Sequence, residues 1–193
     1  MILFIDTISN PCFIGIFDEK KNIIKNISYD IMGNESSTLI PNIDNLLKEN
    51  DLSYSNLENI VLVNGPGSFT GIRTAVLVVN TINFIIKKNM TDINYFSMYE
   101  FAFDNKFPII KDSSKRDLFI KKDKNSKIDI ISNEDLINYL KENNICEIYG
   151  DTKINLGSIK KITNIDYKKV LDKINLDNKK SLEAFYLKKP NIS

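Results

Sequence analysis

Histidine is absent from the 193 residues, which removes the side chain on which His-ligated metal sites and the Ser-His and Cys-His nucleophile pairs depend. Cysteine is scarce. Cys12 and Cys146 stand far apart with no metal-type spacing, so both are expected as buried free thiols in a reducing cytoplasm. Net charge is missing too: 26 basic residues meet 25 acidic ones, and the total predicts no nucleic-acid surface. Any such contact is then local or made by a partner. The pairs Lys121-Lys122 and Lys160-Lys161 are scattered, and solvated charge accounts for them. No uninterrupted apolar run reaches membrane-spanning length, because Ala75 to Ile86 is short and carries Asn80, Thr81 and Asn83. The opening Met1-Ile2-Leu3-Phe4-Ile5-Asp6 lacks the basic region and small-residue cleavage site of a secretory leader and reads as a strand. These absences point to a cytoplasmic chain with no membrane partner.

The length suffices for a real core in one domain or two small ones. Glycine is sparse, so its clustering is informative. Three of the seven glycines fall within Asn64-Gly65-Pro66-Gly67-Ser68-Phe69-Thr70-Gly71-Ile72-Arg73, between the apolar run Ile60–Val63 and a longer one from Ile72 to Ile86. The backbone must turn sharply there, where a strand hands over to a helix. Ser68 and Thr70 can cap that helix, whose free N–H groups form a weak anion site. Two readings of the loop stay open, a phosphate or partner contact and a tight, well-capped turn. It has neither the dinucleotide fingerprint nor the lysine of a P-loop.

Taken in order, residues 2–6, 12–18 and 22–29 predict a three-stranded antiparallel meander, the last strand half-exposed by its alternation. Leu39, Ile40, Ile43, Leu46 and Leu47 predict a helix over 36–49 with one buried face, Ser36 or Ser37 as cap and Pro41 in the first turn. Strand 59–63 follows, then the glycine loop and a second helix, roughly 71–88. That helix is rich in β-branched residues, but an apolar run from Ile72 to Ile86 is too long for a strand. At about 100° per residue, Ile72, Ala75, Val76, Val79, Ile82 and Ile86 share one face. Leu77 and Phe84 lie opposite, with Val78 and Ile85 to one side of them. A helix apolar on both sides needs two covers. One is its own sheet; the other is the first helix, the rest of the chain or another protein.

Tyr95-Phe96-Ser97 reads as a strand fragment and 98–104 as a short helix. A boundary near Asn105-Lys106 divides the chain into 1–104 and 105–193. Beyond it come strands at 108–113, 117–121 and 128–131, a helix at 133–143 and a strand at 147–151, so the order β-β-β-α-β-α is expected twice, as topology and not as matching residues. Such alternation also arises by chance in an α/β chain. Tyr167, Val170, Leu171 and Ile174 are spaced for a helix, and 182–188 is a last apolar element.

The run Gly65-Pro66-Gly67-Ser68-Phe69-Thr70-Gly71-Ile72-Arg73 closely resembles the signature of the TsaB family, also called YeaZ. Phe4-Ile5-Asp6-Thr7 is similar to that family's opening strand, with Ile8 in place of a serine. Glu35-Ser36-Ser37-Thr38-Leu39-Ile40-Pro41 resembles its His-Ser-Glu-x-Leu-Leu-Pro, with Glu35 for His and Ser37 for Glu. Asp112-Ser113-Ser114 stands where Asp-Ala-Arg is common, with Asp117 at the usual Glu, and Tyr186-Leu187-Lys188 where Tyr-Leu-Arg ends the chain.

The resemblance implies the actin-like ATPase (ASKHA, ribonuclease-H-like) fold, an α/β architecture of two related halves with the second reduced. It implies a non-catalytic scaffold subunit for threonylcarbamoyladenosine synthesis in tRNA, without cofactor, metal or catalytic residues. The first-half helices would bind the catalytic paralogue TsaD, joined by the ATPase TsaE, with tRNA reached indirectly. Leu77, Val78, Phe84, Ile85 and Arg73 are the expected partner-binding residues, and the isolated chain is expected to pair with itself as a homodimer. The competing expectation is a small ASKHA-type kinase or ATPase using Asp6 and Asp112.

Overall fold

The computed structural model describes residues 1–30 and 35–187. The side chains of Glu35 and Ser36, and all of Lys188, lie outside the described residues.

Strand β1 (Ile2–Asp6) is buried along its whole length, as a central strand covered on both faces must be. Antiparallel to it runs β2 (Cys12–Phe17), and beyond β2 lies the largely exposed edge strand β3 (Ile23–Tyr29), completing the expected meander. Helix α1 (Glu35–Lys48) leads to β4 (Asn59–Val63), parallel to β1, and helix α2 (Phe69–Ile86) leads to β5 (Asn89–Ile93), parallel to β4. The sheet order is β3-β2-β1-β4-β5. Leu39, Ile43, Leu46 and Leu47 of α1 and Ala75, Val78, Val79 and Ile82 of α2 pack with Leu3, Ile5, Ile60 and Leu62 in one core cluster. The helical spacing read for α1 holds except at Ile40, which is exposed. Pro41 is an exposed residue in the helix interior and not in its first turn. The ladder bond it removes is therefore a real cost to α1.

Helix α2, with mean hydropathy 1.5 over 18 residues, is long and apolar enough to cross a membrane by length and composition. Much of that hydropathy is explained by its buried side, which joins the core of the sheet. Its start at Phe69 adds two residues to the expected span, because Ser68 takes the cap position.

The second sheet follows α3 (Tyr95–Ala102), whose first turn holds the Tyr95-Phe96-Ser97 expected as a strand. The strand lies earlier in the chain: β5, with polar Asn89, Thr91 and Asp92, occupies that position in the sheet. Strands β6 (Ile109–Asp112), β7 (Asp117–Lys121) and β8 (Asp129–Ser132) form a second meander. Then come α4 (Asn133–Glu142), β9 (Glu147–Tyr149) and β10 (Lys160–Ile162), in the order β10-β9-β6-β7-β8. Read from the other edge, this is the order of the first sheet, which chance alternation would not reproduce. Residues 151–159, linking β9 to β10, contain no helix, so the last α of the expected second β-β-β-α-β-α, the counterpart of α2, is missing and the second half is the reduced one. Leu136 and Leu140 of α4 close its core over Ile110, Leu118, Ile120 and Ile148.

The chain forms two compact units, Met1–Tyr95 with Lys168 onward, and Phe96–Tyr167. The division expected at 104/105 differs on both counts: nearly all of α3 goes with the second unit, and the tail returns to the first. The tail returns because its apolar residues are needed there. Leu182 is buried in the first core, and the end of α5 (Tyr167–Lys173) is held where Lys21 Nζ donates to the Leu171 carbonyl at 2.7 Å. Cys12 is buried as expected, but Cys146 is exposed.

In the second unit the buried Tyr149 donates its hydroxyl proton to Glu147 on the same strand. Burial first, then that hydrogen bond and the carboxylate charge, push the phenol up to about 12. Burial and Asp44 raise Tyr54 in the same direction. The unfolded chain releases these protons near pH 10, before the folded chain does, so the stability they contribute is present below about pH 10 and lost as pH rises towards 12. Urea unfolding between pH 9 and 11.5 should show falling stability with a shallower slope in Tyr149→Phe; an unchanged slope would remove Tyr149 from this account.

Candidate functional site

The signature loop begins where β4 ends. Asn64 N–H donates to the Ile93 carbonyl at 3.0 Å and Tyr95 N–H to the Gly65 carbonyl at 2.7 Å, so the loop is tied to the end of β5. Gly65 sits at φ +139°, and a Cβ there would collide with the Phe185 carbonyl oxygen. A Cβ on Gly67 would stand 2.9 Å from Ile8 Cγ2. Both glycines thus admit other parts of the same chain, the tail and the β1–β2 turn. Ser68 Oγ accepts the Gly71 N–H at 3.5 Å. Of the two readings of this loop, the capped tight turn describes its geometry.

From that turn α2 projects Arg73, whose guanidinium carbon lies 3.7 Å from the centroid of the Phe69 ring and whose Nε donates to the Tyr186 hydroxyl at 3.2 Å. The Phe69 and Tyr186 rings are 5.3 Å apart. Tyr186 is brought there by a strap of tail residues. Asn80 exchanges two hydrogen bonds with the Leu182 backbone, at 2.8 and 3.0 Å, and Asn64 Nδ2 donates to the Glu183 carbonyl at 3.0 Å. Phe185 N–H donates to the Asn64 carbonyl at 2.8 Å. The sequence reading missed this strap, since an extended segment bonded to asparagine side chains carries no periodic signal. Its one legible trace is the apolar cluster from Leu182 to Leu187.

One turn beyond Arg73 the outward side of α2 becomes apolar. Leu77 is 68% exposed, Phe84 84% and Ile85 75%. Leu77 and Phe84 are two helical turns apart, about 10 Å along the axis. Val78, expected beside them, is only 8% exposed and belongs to the core with Ala75, Val79 and Ile82. The wheel misplaced it because α1 packs alongside α2 and widens the buried arc beyond the sheet-facing side. The structure therefore brings Leu77, Phe84 and Ile85 onto one solvent-facing ridge, with Arg73 near its start, and withdraws Val78.

Residues 32–110 match the family model described as TsaD, tRNA N6-adenosine threonylcarbamoyltransferase. Among curated proteins, the tRNA threonylcarbamoyladenosine biosynthesis protein TsaB of Buchnera aphidicola (subspecies Baizongia pistaciae) is 35% identical over 82 residues, 42% of this chain and 36% of that one. TsaB of Bacillus subtilis is 35% identical over 81 residues, 42% of this chain and 35% of its own length. The chain resembles TsaB. The matched stretch spans 36% and 35% of those two TsaB proteins. The fold agrees: YeaZ from Pseudomonas aeruginosa superposes with a TM-score of 0.53 at 18% identity, covering 68% of this chain and 64% of that one. A second structure, of an uncharacterized protein with similarity to peptidase YEAZ from the same organism, gives a TM-score of 0.55, also at 18% identity, over 68% of this chain and 63% of that one. The shared fold is the expected α/β one of two halves, each built on a five-stranded sheet in this chain.

Against the TsaB pattern, the polar departures in the second unit are accommodated locally. Ser114 Oγ accepts the N–H groups of Arg116 and Asp117, each at 3.2 Å, and so closes the β6–β7 turn. Asp112 accepts the Thr152 hydroxyl at 2.6 Å and the Lys153 N–H at 3.1 Å. In the first unit, Asp6, fully buried at the end of β1, accepts the N–H groups of Ile8 and Ser9 at 2.9 Å each. Asp6 thus acts as a strand-end turn former, whereas Asp112 ties the end of β6 to the segment after β9.

Proposed function

We propose that this chain is a TsaB-like, non-catalytic scaffold subunit for threonylcarbamoyladenosine synthesis in tRNA. It docks a TsaD-like catalytic subunit on the α2 ridge. The observation that carries this reading is the exposure of Leu77, Phe84 and Ile85 on a helix that otherwise belongs to the core. Covering three such side chains supplies about 1.5–3 kcal/mol each before ordering costs. An exposed apolar ridge of this kind marks an interaction site. A TsaE-like ATPase completes the assembly, tRNA is reached through the complex in the cytoplasm, and the isolated chain pairs through the same ridge with a second copy. Co-purification with the TsaD-like protein of its own host tests the reading. A chain that elutes apart from that protein at micromolar concentration would overturn it.

A small ASKHA-type kinase using Asp6 and Asp112 fits less well, because both carboxylates already accept backbone N–H groups. Titration with ATP and magnesium in a calorimeter is expected to give no binding heat up to about 1 mM, the weak end of specific affinity. Micromolar binding by the isolated chain would favour the kinase.

A further inference from the structure

We propose that the surface docking on α2 carries carboxylates at both ends of its apolar patch, and that Arg73, Lys87 and Lys88 select such a partner over a second copy of this chain. The inference rests on the docking face proposed above and adds the chemistry of its occupant. Between Phe69 and Ile86, α2 contains no acidic residue and a single cation, Arg73; Lys87 and Lys88 follow directly on its last turn. The apolar ridge of Leu77, Phe84 and Ile85 lies between these positive ends, and the other side chains along its exposed side, Thr70 and Thr81, are uncharged. On the neighbouring α1, Asp44 accepts the Tyr54 hydroxyl at 2.5 Å.

A two-fold pair of ridges brings residue i against j and j against i. The ridge midpoint lies close to residues 80 and 81. An antiparallel pair would therefore set Arg73 of each copy against Lys88 of the other, and a parallel pair would set each cation against itself. Either way, like charges meet at both ends. The two ends are about 22 Å apart at 1.5 Å per residue, well beyond the Debye length of about 8 Å in physiological salt, so each acts separately. Arg73 is also held in place. Its ring contact and its bond to Tyr186 use the guanidinium face and Nε, and neither uses the terminal amino groups, the fork that grips a carboxylate.

The two associations should answer salt with opposite signs. Calorimetry against the host's TsaD-like protein is expected to show affinity falling about tenfold from 50 to 500 mM NaCl, as screened charge pairs do. Sedimentation of the chain alone should show self-association that strengthens with salt. The variant Arg73→Glu/Lys87→Glu/Lys88→Glu should bind that partner at least about tenfold more weakly, with a melting temperature lowered by no more than about 5 °C for the lost Phe69 and Tyr186 contacts. Partner affinity indifferent to salt and to these substitutions, or self-association that weakens with salt, would overturn the proposal. If Leu77→Glu/Phe84→Glu abolishes binding while the charge variant does not, only this inference fails. If neither variant alters binding, the docking face itself is wrong.

Discussion

The variant Leu77→Glu/Phe84→Glu is expected to lose at least about a hundredfold in affinity for a TsaD-like partner while melting within about 2 °C of the parent chain. Both side chains stand in solvent, 68% and 84% exposed, so the folded monomer gives up almost no burial when they are replaced. A complex that covers them loses about 1.5–3 kcal/mol for each and must also desolvate two carboxylates. Next in sequence, the opposite outcome is expected. Val78→Glu places a charge in the core cluster formed by α1, α2 and the sheet, and should cost about 3–5 kcal/mol of stability. Adjacent positions thus separate binding from folding, through sizing chromatography with the partner and thermal unfolding without it. Equal partner affinity in the double variant would remove this ridge from the interface. Equal stability in Val78→Glu would show that the helix is turned differently on its sheet.

Much of this architecture was legible because its signals are periodic. The alternation in Ile23–Tyr29, the helical spacing from Leu39 to Leu47 and the core-facing apolar side of the helix after Gly71 each follow from what a strand edge and a helix packed on a sheet require. Strand order in the second unit was legible only as a repeated sequence of elements, since no residue pattern there matches the first. What escaped had aperiodic causes. Val78 is buried by a neighbouring helix, and a single-helix wheel carries no information about a neighbour. Strand β5 holds Asn89, Thr91 and Asp92, which resemble a loop until the sheet and tail supply partners: Thr91 Oγ1 donates to the Asp177 carbonyl at 3.1 Å, and Asp92 accepts from Asn64 Nδ2 at 2.6 Å and pairs with Lys179. The glycines of the signature loop mark a sharp turn in the sequence, and Gly65 and Gly67 also admit other parts of the chain closely. Which backbone approached them depended on where the tail ran, and sequence spacing does not encode that.

Gly65→Ala follows from that tail path, and its expected cost is about 3 kcal/mol in two separable parts. One part is conformational: φ is +139°, a region almost closed to residues with a Cβ, with strain of about 1–3 kcal/mol. The other is steric, because the new methyl overlaps the Phe185 carbonyl oxygen. The strap can relieve only the second part by lifting. Lifting breaks the Phe185 and Glu183 bonds to Asn64 first, because these lie nearest the glycine, and leaves the Asn64 amide buried with fewer partners. It also withdraws Tyr186 from Arg73 and so loosens the start of the docking ridge. Two measurements follow. In urea, the midpoint should fall clearly, and deleting the chain from Asp177 onward should make Gly65→Ala cheaper by at least about 1 kcal/mol than in the full chain, a coupling that only contacting groups show. In limited trypsin digestion, cleavage after Lys179 and Lys180 should accelerate in Gly65→Ala before the rest of the chain is cut, because a lifted strap exposes those bonds while the sheet still holds. An alanine that leaves both the midpoint and the tail's protection unchanged would mean that Phe185 does not press on the glycine turn. The route by which the tail reaches Arg73 would then have to be a different one.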